Sequence, residues 1–284
     1  MIPILPSIEV FNLCFSTKDF REKKKAIDLL YNENNAICLT RNYIELLEKQ
    51  VTNSEHFKTL IVELADSGRL KIETTPSGSS LDDEFIEIEN NSSLDFLIPI
   101  TVSDNPRIKT KIKSFLVSIE NKNLVGKELL AFKLATKGFI QMYYHDFASD
   151  TEVTFVFSEI FKLPRQFKQV FIFDRDKTSV LREGLKNKDI KYYTLHVGGK
   201  ARSHELKPYL LDMRQSLGNR VKLFYTNKKK LLHERKVIVD NLIVSADNSM
   251  ENLLISEPTW EISIIYSPTK SSDWRNKCPS FFAL

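Results

Sequence analysis

Short and almost unbroken apolar runs recur along this chain, and most are followed by a stretch whose apolar residues have helical spacing. Ala36-Ile37-Cys38-Leu39, the segment from Phe96 to Val102, and Val170-Phe171-Ile172-Phe173 lack the in-out alternation of a half-exposed strand. Strands of that kind must be covered on both faces, as in a parallel sheet flanked by helices. Thr17 to Asn32, Thr40 onward through Tyr43, Ile44 and Leu47, and His56 to Asp66 read as the covering helices, with Thr40 as a cap and Gly68 as a stop. The rhythm therefore predicts an α/β protein, and 284 residues are enough for two compact units.

Further strands are expected over Ile4 to Leu13, Leu70 to Thr74, Phe85 to Glu89, Ile190 to Val197, Val221 to Tyr225, Lys236 to Val239, Leu242 to Ser245 and Glu261 to Tyr266. Helices are expected over Ser179 to Lys186 and Glu205 to Leu217, the latter stopped by Gly218. No run of eighteen apolar residues occurs and the N-terminus lacks a signal-peptide pattern, so the expectation is a cytoplasmic protein without a transmembrane segment. Cys14, Cys38 and Cys278 make neither an even disulfide set nor a CxxC knuckle. His145-Asp146 and His204-Glu205 have no partners at metal spacing, so neither a metal nor another cofactor is expected.

Charge divides the chain. Residues 1–164 hold 19 Lys and Arg against 24 Asp and Glu, whereas residues 165–284 hold 22 against 13. A basic C-terminal part points to an anionic partner, nucleic acid first, although the same charges could simply be solvated or attract the acidic half.

Within the basic part lies His233-Glu234-Arg235-Lys236-Val237-Ile238-Val239-Asp240, just after Lys228-Lys229-Lys230. In a regular strand His233, Arg235 and Val237 share a face. An imidazole beside a guanidinium suits a phosphodiester: the ring attacks or gives a proton, and the cation neutralises the nonbridging oxygens, with no metal required. The stretch resembles the H-x-K-x4-D signature of the phospholipase D superfamily, with Arg235 in place of its lysine. Ser245-Ala246-Asp247-Asn248-Ser249 stands where that superfamily usually has Gly-Ser and an Asn, and Glu257 or Glu261 follows. The resemblance implies a phospholipase-D-like C-terminal domain, with His233 as nucleophile forming a phosphohistidine, Arg235 as phosphate clamp and Asp240 as supporting carboxylate. Asn248, Lys228, Lys229 and Lys230 would bind phosphate. A chain with one motif copy commonly dimerises, so a homodimer or larger complex is implied too.

Arginine binds phosphate as a planar fork, unlike lysine, and Gly-Ser is missing. Those departures resemble a noncatalytic branch of the same fold, the C-terminal domain of MIT-domain proteins, which binds membranes or partners. A noncatalytic module holding nucleic acid, phospholipid or protein therefore stays open. So does a third reading, since Asp174-Arg175-Asp176-Lys177-Thr178 resembles the D-x-D-x-T motif of haloacid-dehalogenase-like phosphatases, which use Mg²⁺.

The N-terminal half resembles PIN-like nuclease domains in its order of elements. Ser7 falls on that family's first Asp, and Glu45 and Asp104 fall on later acidic positions. With the first ligand lost, the resemblance implies an inactive scaffold. The expected division is a PIN-like or Rossmann-like domain at 1–122, a helical connector at 123–164 and the phospholipase-D-like domain at 165–284. A chain rich in Lys, Asn, Phe and Ile resembles bacterial or phage accessory proteins, including components of defence systems, and the combined expectation is a metal-independent nuclease or nuclease-like subunit.

Overall fold

The structure is a computed structural model. It describes residues 1–17, 21–147, 149–165, 167, 169–174, 182–195, 203–232, 235–247 and 260–284. The chain divides into two compact units, Met1–Gly138 and Phe139–Leu284.

The first unit runs β1 (Ile2–Pro6), α1 (Ile8–Phe15), α2 (Arg21–Leu30), β2 (Asn35–Leu39), α3 (Arg41–Gln50), α4 (Ser54–Asp66) and β3 (Leu70–Ile72). It continues with α5 (Leu81–Asn91), β4 (Ile98–Thr101), α6 (Pro106–Lys111), β5 (Val117–Ser118) and α7 (Gly126–Lys137). The five strands are all parallel, in the order β3-β2-β1-β4-β5. The order turns back at β1, which is paired on one side with β2 and on the other with β4, the arrangement that opens a crevice at the carboxyl ends of the strands. Ile4, Leu5, Ile37, Leu39, Ile98 and Ile100 are wholly buried, as the unbroken apolar runs require. The caps also follow the sequence: the Thr40 hydroxyl accepts from the Tyr43 N–H at 3.0 Å, and Gly68 has the left-handed φ of 67° that lets α4 end.

One expected strand, and the second part of another, are helices. Phe85 to Glu89 lies inside α5, where the Ser80 hydroxyl caps the first turn by accepting from the Asp83 N–H. Asp82, Asp83 and Glu84 in that turn complement the helix dipole, and Leu81, Phe85 and Ile88 form its buried stripe. The Phe-Ile-Glu-Ile-Glu alternation mimics a strand only over five residues. Likewise Ile8 to Leu13 belongs to α1, whose buried side chains Val10, Phe11 and Cys14 keep helical spacing.

The second unit runs β6 (Phe139–Tyr143), α8 (Asp150–Ile160), β7 (Val170–Phe173), α9 (Arg182–Leu185), β8 (Ile190–Leu195) and α10 (Ser203–Leu217). Then come β9 (Val221–Thr226), β10 (Arg235–Val239), β11 (Leu242–Ala246), β12 (Glu261–Tyr266), α11 (Pro268–Lys277) and β13 (Phe282–Ala283). The strands form one mixed sheet in the order β13-β9-β8-β7-β10-β11-β12-β6, in which β7, β8 and β9 are parallel and the other pairings antiparallel. The stretch 123–164, expected as a connector, is thus divided: α7 packs in the first unit and β6 pairs with β12 in the second sheet. Gly138, at φ 80°, ends α7 and leads directly into β6.

On one face of the mixed sheet Phe171, Phe173, Tyr193, Ile238 and Ile243 pack with Trp274 of α11 and with Phe281. Phe173, Tyr193 and Phe224 stack in a row at 4.8 and 4.9 Å between ring centres. Tyr192 and Tyr193 of β8 are likewise buried and serve the core. Among the described residues no helix is long and apolar enough to cross a membrane.

Candidate functional site

The pairing registers bring the chemistry-bearing ends of several strands of the mixed sheet to one edge. Phe173, the last residue of β7, pairs with Lys236 at the start of β10, and Arg235 pairs with Ala246 at the end of β11. Ala246 in turn pairs with Ile262, next to Glu261 at the start of β12, and Glu261 pairs with Tyr143 at the end of β6. The carboxyl ends of parallel strands are where α/β sheets most often bind ligands. Here that edge carries Asp174, Thr194, Thr226, Arg235, Lys236, Asp247 and Glu261.

Arg235 is half-buried. Its Nη1 donates to the Asp247 carbonyl at 3.2 Å, and its buried Nε has no partner among the described residues. Alternation along β10 puts Arg235 on the face of Val237 and Ala246, and Lys236 on the face of Ile238 and Ser245. The Lys236 ammonium donates to the Ser245 hydroxyl at 2.8 Å and stands 5.2 Å from the centre of the Trp274 ring. Around it lies a hollow of about 280 Å³ lined by Lys236, Ser245, Ala246, Asp247, Glu261 and Ser263.

Of the residues expected from the sequence, His233 and Asn248 lie outside the described residues. Lys228 and Lys230 are exposed after β9, where the Lys228 N–H donates to the Thr226 hydroxyl at 3.2 Å. Lys229 begins a 3-10 turn that runs to the buried Leu232. Asp240 is not beside Arg235. It occupies the two-residue turn with Asn241 at the far end of the β10–β11 hairpin, at a left-handed φ of 51°. Its carbonyl accepts from the Ser271 hydroxyl at 2.7 Å and from the Arg275 guanidinium, so Asp240 ties the hairpin to α11. Any support it gives to a site at the opposite end passes through the fold. Asp174 is buried at the end of β7, with its N–H on the Tyr193 carbonyl at 3.1 Å. Asp176 and Thr178, the rest of the D-x-D-x-T motif, lie outside the described residues.

The hollow itself was not anticipated. Its signal was present in the sequence: Asp240-Asn241 as a two-residue turn fixes the register that sets Lys236 opposite Ser245.

In the first unit Ser7 is buried, and its hydroxyl donates to the Glu9 carboxylate. Glu45 and Asp104 are both exposed. Glu84, which meets Thr40 just past the carboxyl end of β2, is completely enclosed. It accepts from the Thr40 hydroxyl, from Asn42 Nδ2 at 2.7 Å and from the Gly78 N–H at 2.5 Å. These donors leave the carboxylate serving the scaffold. Among the described residues no group of three or more His, Cys, Asp or Glu side chains is placed to hold a metal ion. Burial pushes the thiols up, Cys14 to about 11 and Cys38 to about 12, so neither is a ready nucleophile.

No protein-family model matches the sequence, and no curated protein matches it. Solved structures similar to this chain include Nuc of Salmonella typhimurium, a phospholipase D family member, at 11% identity and a TM-score of 0.37, covering 51% of this chain and 97% of that one. NucT of Helicobacter pylori is similar at 10% identity and a TM-score of 0.33, covering 51% and 99%. Phosphatidylserine synthase of Haemophilus influenzae Rd KW20 is similar at 10% identity and a TM-score of 0.34, covering 93% of this chain and 85% of that one. All three likenesses are distant in sequence and in superposition.

Proposed function

We propose that the second unit is a phospholipase-D-like phosphodiesterase module that acts on nucleic acid without a metal ion, and that the first unit is an inactive scaffold. The observation that carries the reading is the placement of Arg235. It opens β10 at the edge formed by the carboxyl ends of the parallel strands, two residues after His233, with a buried Nε that has no partner among the described residues and a hydrogen bond of 3.2 Å from Nη1. A guanidinium with spare donors is suited to the nonbridging oxygens of a phosphodiester.

In this reading His233 attacks phosphorus, the phosphorus–oxygen bond to the leaving strand breaks, and water then hydrolyses the phosphohistidine. Arg235 and Asn248 hold the phosphoryl oxygens, Lys228, Lys229 and Lys230 attract the strand, and Asp240 anchors the hairpin. A second copy of the chain supplies the other histidine needed to protonate the leaving oxygen. The setting we favour is bacterial or phage defence.

The test is cleavage of labelled DNA and RNA in EDTA. His233→Ala abolishes cleavage while the protein stays folded, and unchanged cleavage by that variant overturns the mechanism. Activity that returns only with Mg²⁺ would instead favour the phosphatase-like motif that begins at Asp174. A noncatalytic module is the second reading, favoured by the carboxylates of Asp247 and Glu261 at the same edge, because both repel an approaching phosphate. It gives salt-sensitive binding and no turnover with or without metal.

A further inference from the structure

The hollow beside Lys236 has a mixed character that a phosphate site would not have. One ammonium faces two carboxylates, Asp247 and Glu261, with the hydroxyls of Ser245 and Ser263 between them. Two negative charges against one positive repel a second phosphate, and they call for a ligand that offers hydrogen-bond donors beside acceptors. The carboxylates are held in place. Asp247 Oδ1 accepts from the Glu261 N–H at 3.0 Å, and Glu261 Oε1 accepts from Gln141 Nε2 at 2.5 Å. That leaves one oxygen on each carboxylate, together with the Ser263 hydroxyl, without a partner among the described residues. Lys236, anchored over Trp274 and on Ser245, supplies the positive end. At about 280 Å³ the hollow is too large for one bound phosphate and small for a drug-sized molecule.

Tyr143 lies directly across the ladder from Glu261. It is 36% exposed, and its ring stacks on His145 with centres 5.4 Å apart. An exposed, braced aromatic beside a small polar hollow is a platform on which a base can stack.

We infer that the hollow holds one unpaired nucleobase of the bound strand and selects for an exocyclic amine next to a ring acceptor, as in cytosine. The amine donates to the open oxygens of Glu261 and Asp247, and the ring acceptors take hydrogen bonds from Lys236 and the serine hydroxyls, as carboxylates and lysines read base edges elsewhere. Uracil, with a carbonyl where cytosine has its amine, meets the carboxylates oxygen to oxygen and is rejected. The inference rests on the nucleic-acid reading above, and adds base selection on the sheet face opposite Arg235.

The experiment measures binding of fluorescent oligo(dC) and oligo(dU) to the full chain carrying His233→Ala, which keeps the strands intact. Oligo(dC) binds about tenfold more tightly than oligo(dU). Adding Asp247→Asn and Glu261→Gln, both isosteric, brings that ratio close to one, whereas Tyr143→Ala weakens both strands alike. Ser263→Ala, a smaller change, lowers the ratio without abolishing it. Equal binding of the two strands by the unmodified pocket, or a ratio that survives the double substitution in a folded protein, overturns base selection and leaves the nucleic-acid reading standing. Failure to hold either strand at low salt overturns that reading, and this pocket assignment with it.

Discussion

Glu84 offers a clean test of whether the first unit is a scaffold. Its side chain is wholly enclosed, and its two oxygens take three donors: the Thr40 hydroxyl, Asn42 Nδ2 and the Gly78 N–H. Glu84→Leu fills much of the same space but strands the buried Thr40 hydroxyl away from water and takes the acceptor from Asn42 Nδ2 and the Gly78 N–H, which are half-buried. At about 1–3 kcal/mol for the buried donor left unmade and less for the two that water can reach, the loss comes to about 2–4 kcal/mol. Glu84→Gln behaves differently. With its amide oxygen turned toward Asn42 and Gly78 and its nitrogen toward Thr40, it remakes the bonds without charge assistance and loses about 1 kcal/mol. Urea denaturation of both variants reads the difference as a shift in midpoint at constant slope. A metal-binding role predicts the reverse pattern, with Gln nearly as damaging as Leu and Mg²⁺ or Mn²⁺ stabilising the parent protein. Equal losses for the two variants, a Leu loss under about 1 kcal/mol, or a divalent-dependent midpoint would refute the scaffold role.

Further outcomes follow from the same geometry. The hydroxyls of Ser80 and Ser79, and then Arg107 at 2.8 Å, hold the Asp83 carboxyl below its ordinary 3.8. Its contribution is therefore fully present above about pH 3.8 and fades as pH falls through the lower folded value. Asp83→Asn should flatten the acid limb of a thermal-stability profile, and an unchanged limb removes Asp83 from it. Cys38, pushed up to about 12 by burial, should resist alkylation at pH 8 until the first unit unfolds, as mass spectrometry can follow; rapid labelling of the native protein would contradict its enclosure. Trp274→Ala removes a buried ring 4.9 Å from Phe173 and should cost about 3–5 kcal/mol by urea melting, more than Lys277→Ala, whose ammonium only caps that ring at 3.7 Å.

Strands buried on both faces were legible because they need no partner to betray them: β2, β4 and β7 stand out as apolar runs wherever their neighbours lie. Phe85 to Glu89 resembles a strand because its alternation is local, while the helix signal sits upstream in the Ser80 cap. β6 hid for the opposite reason. Ile140 and Met142 are buried and Phe139, Gln141 and Tyr143 exposed, a proper half-buried strand, but its partner β12 lies more than a hundred residues away in sequence. At the candidate site the sequence makes Arg235 and the run Lys228-Lys229-Lys230 legible as an expectation, but not the carboxylates of Asp247 and Glu261 that share the edge. Asp240 was drawn toward the motif by linear spacing, whereas five residues of extended chain carry it roughly 16 Å along β10. Lys236 carries no signal in the motif because its side chain lies on the strand face opposite Arg235.

The position of β6 also bears on how this protein can be cut for study. Expression of residues 165–284 alone would delete the outermost strand of the mixed sheet and bare the backbone amides and carbonyls of β12 along a row of alternating isoleucines. An exposed margin of that kind recruits other chains and drives precipitation. Recombinant fragments of the second unit should begin at Phe139, and fibrillar or insoluble material from shorter ones would reflect the missing ribbon, not any failing of the edge that carries Arg235.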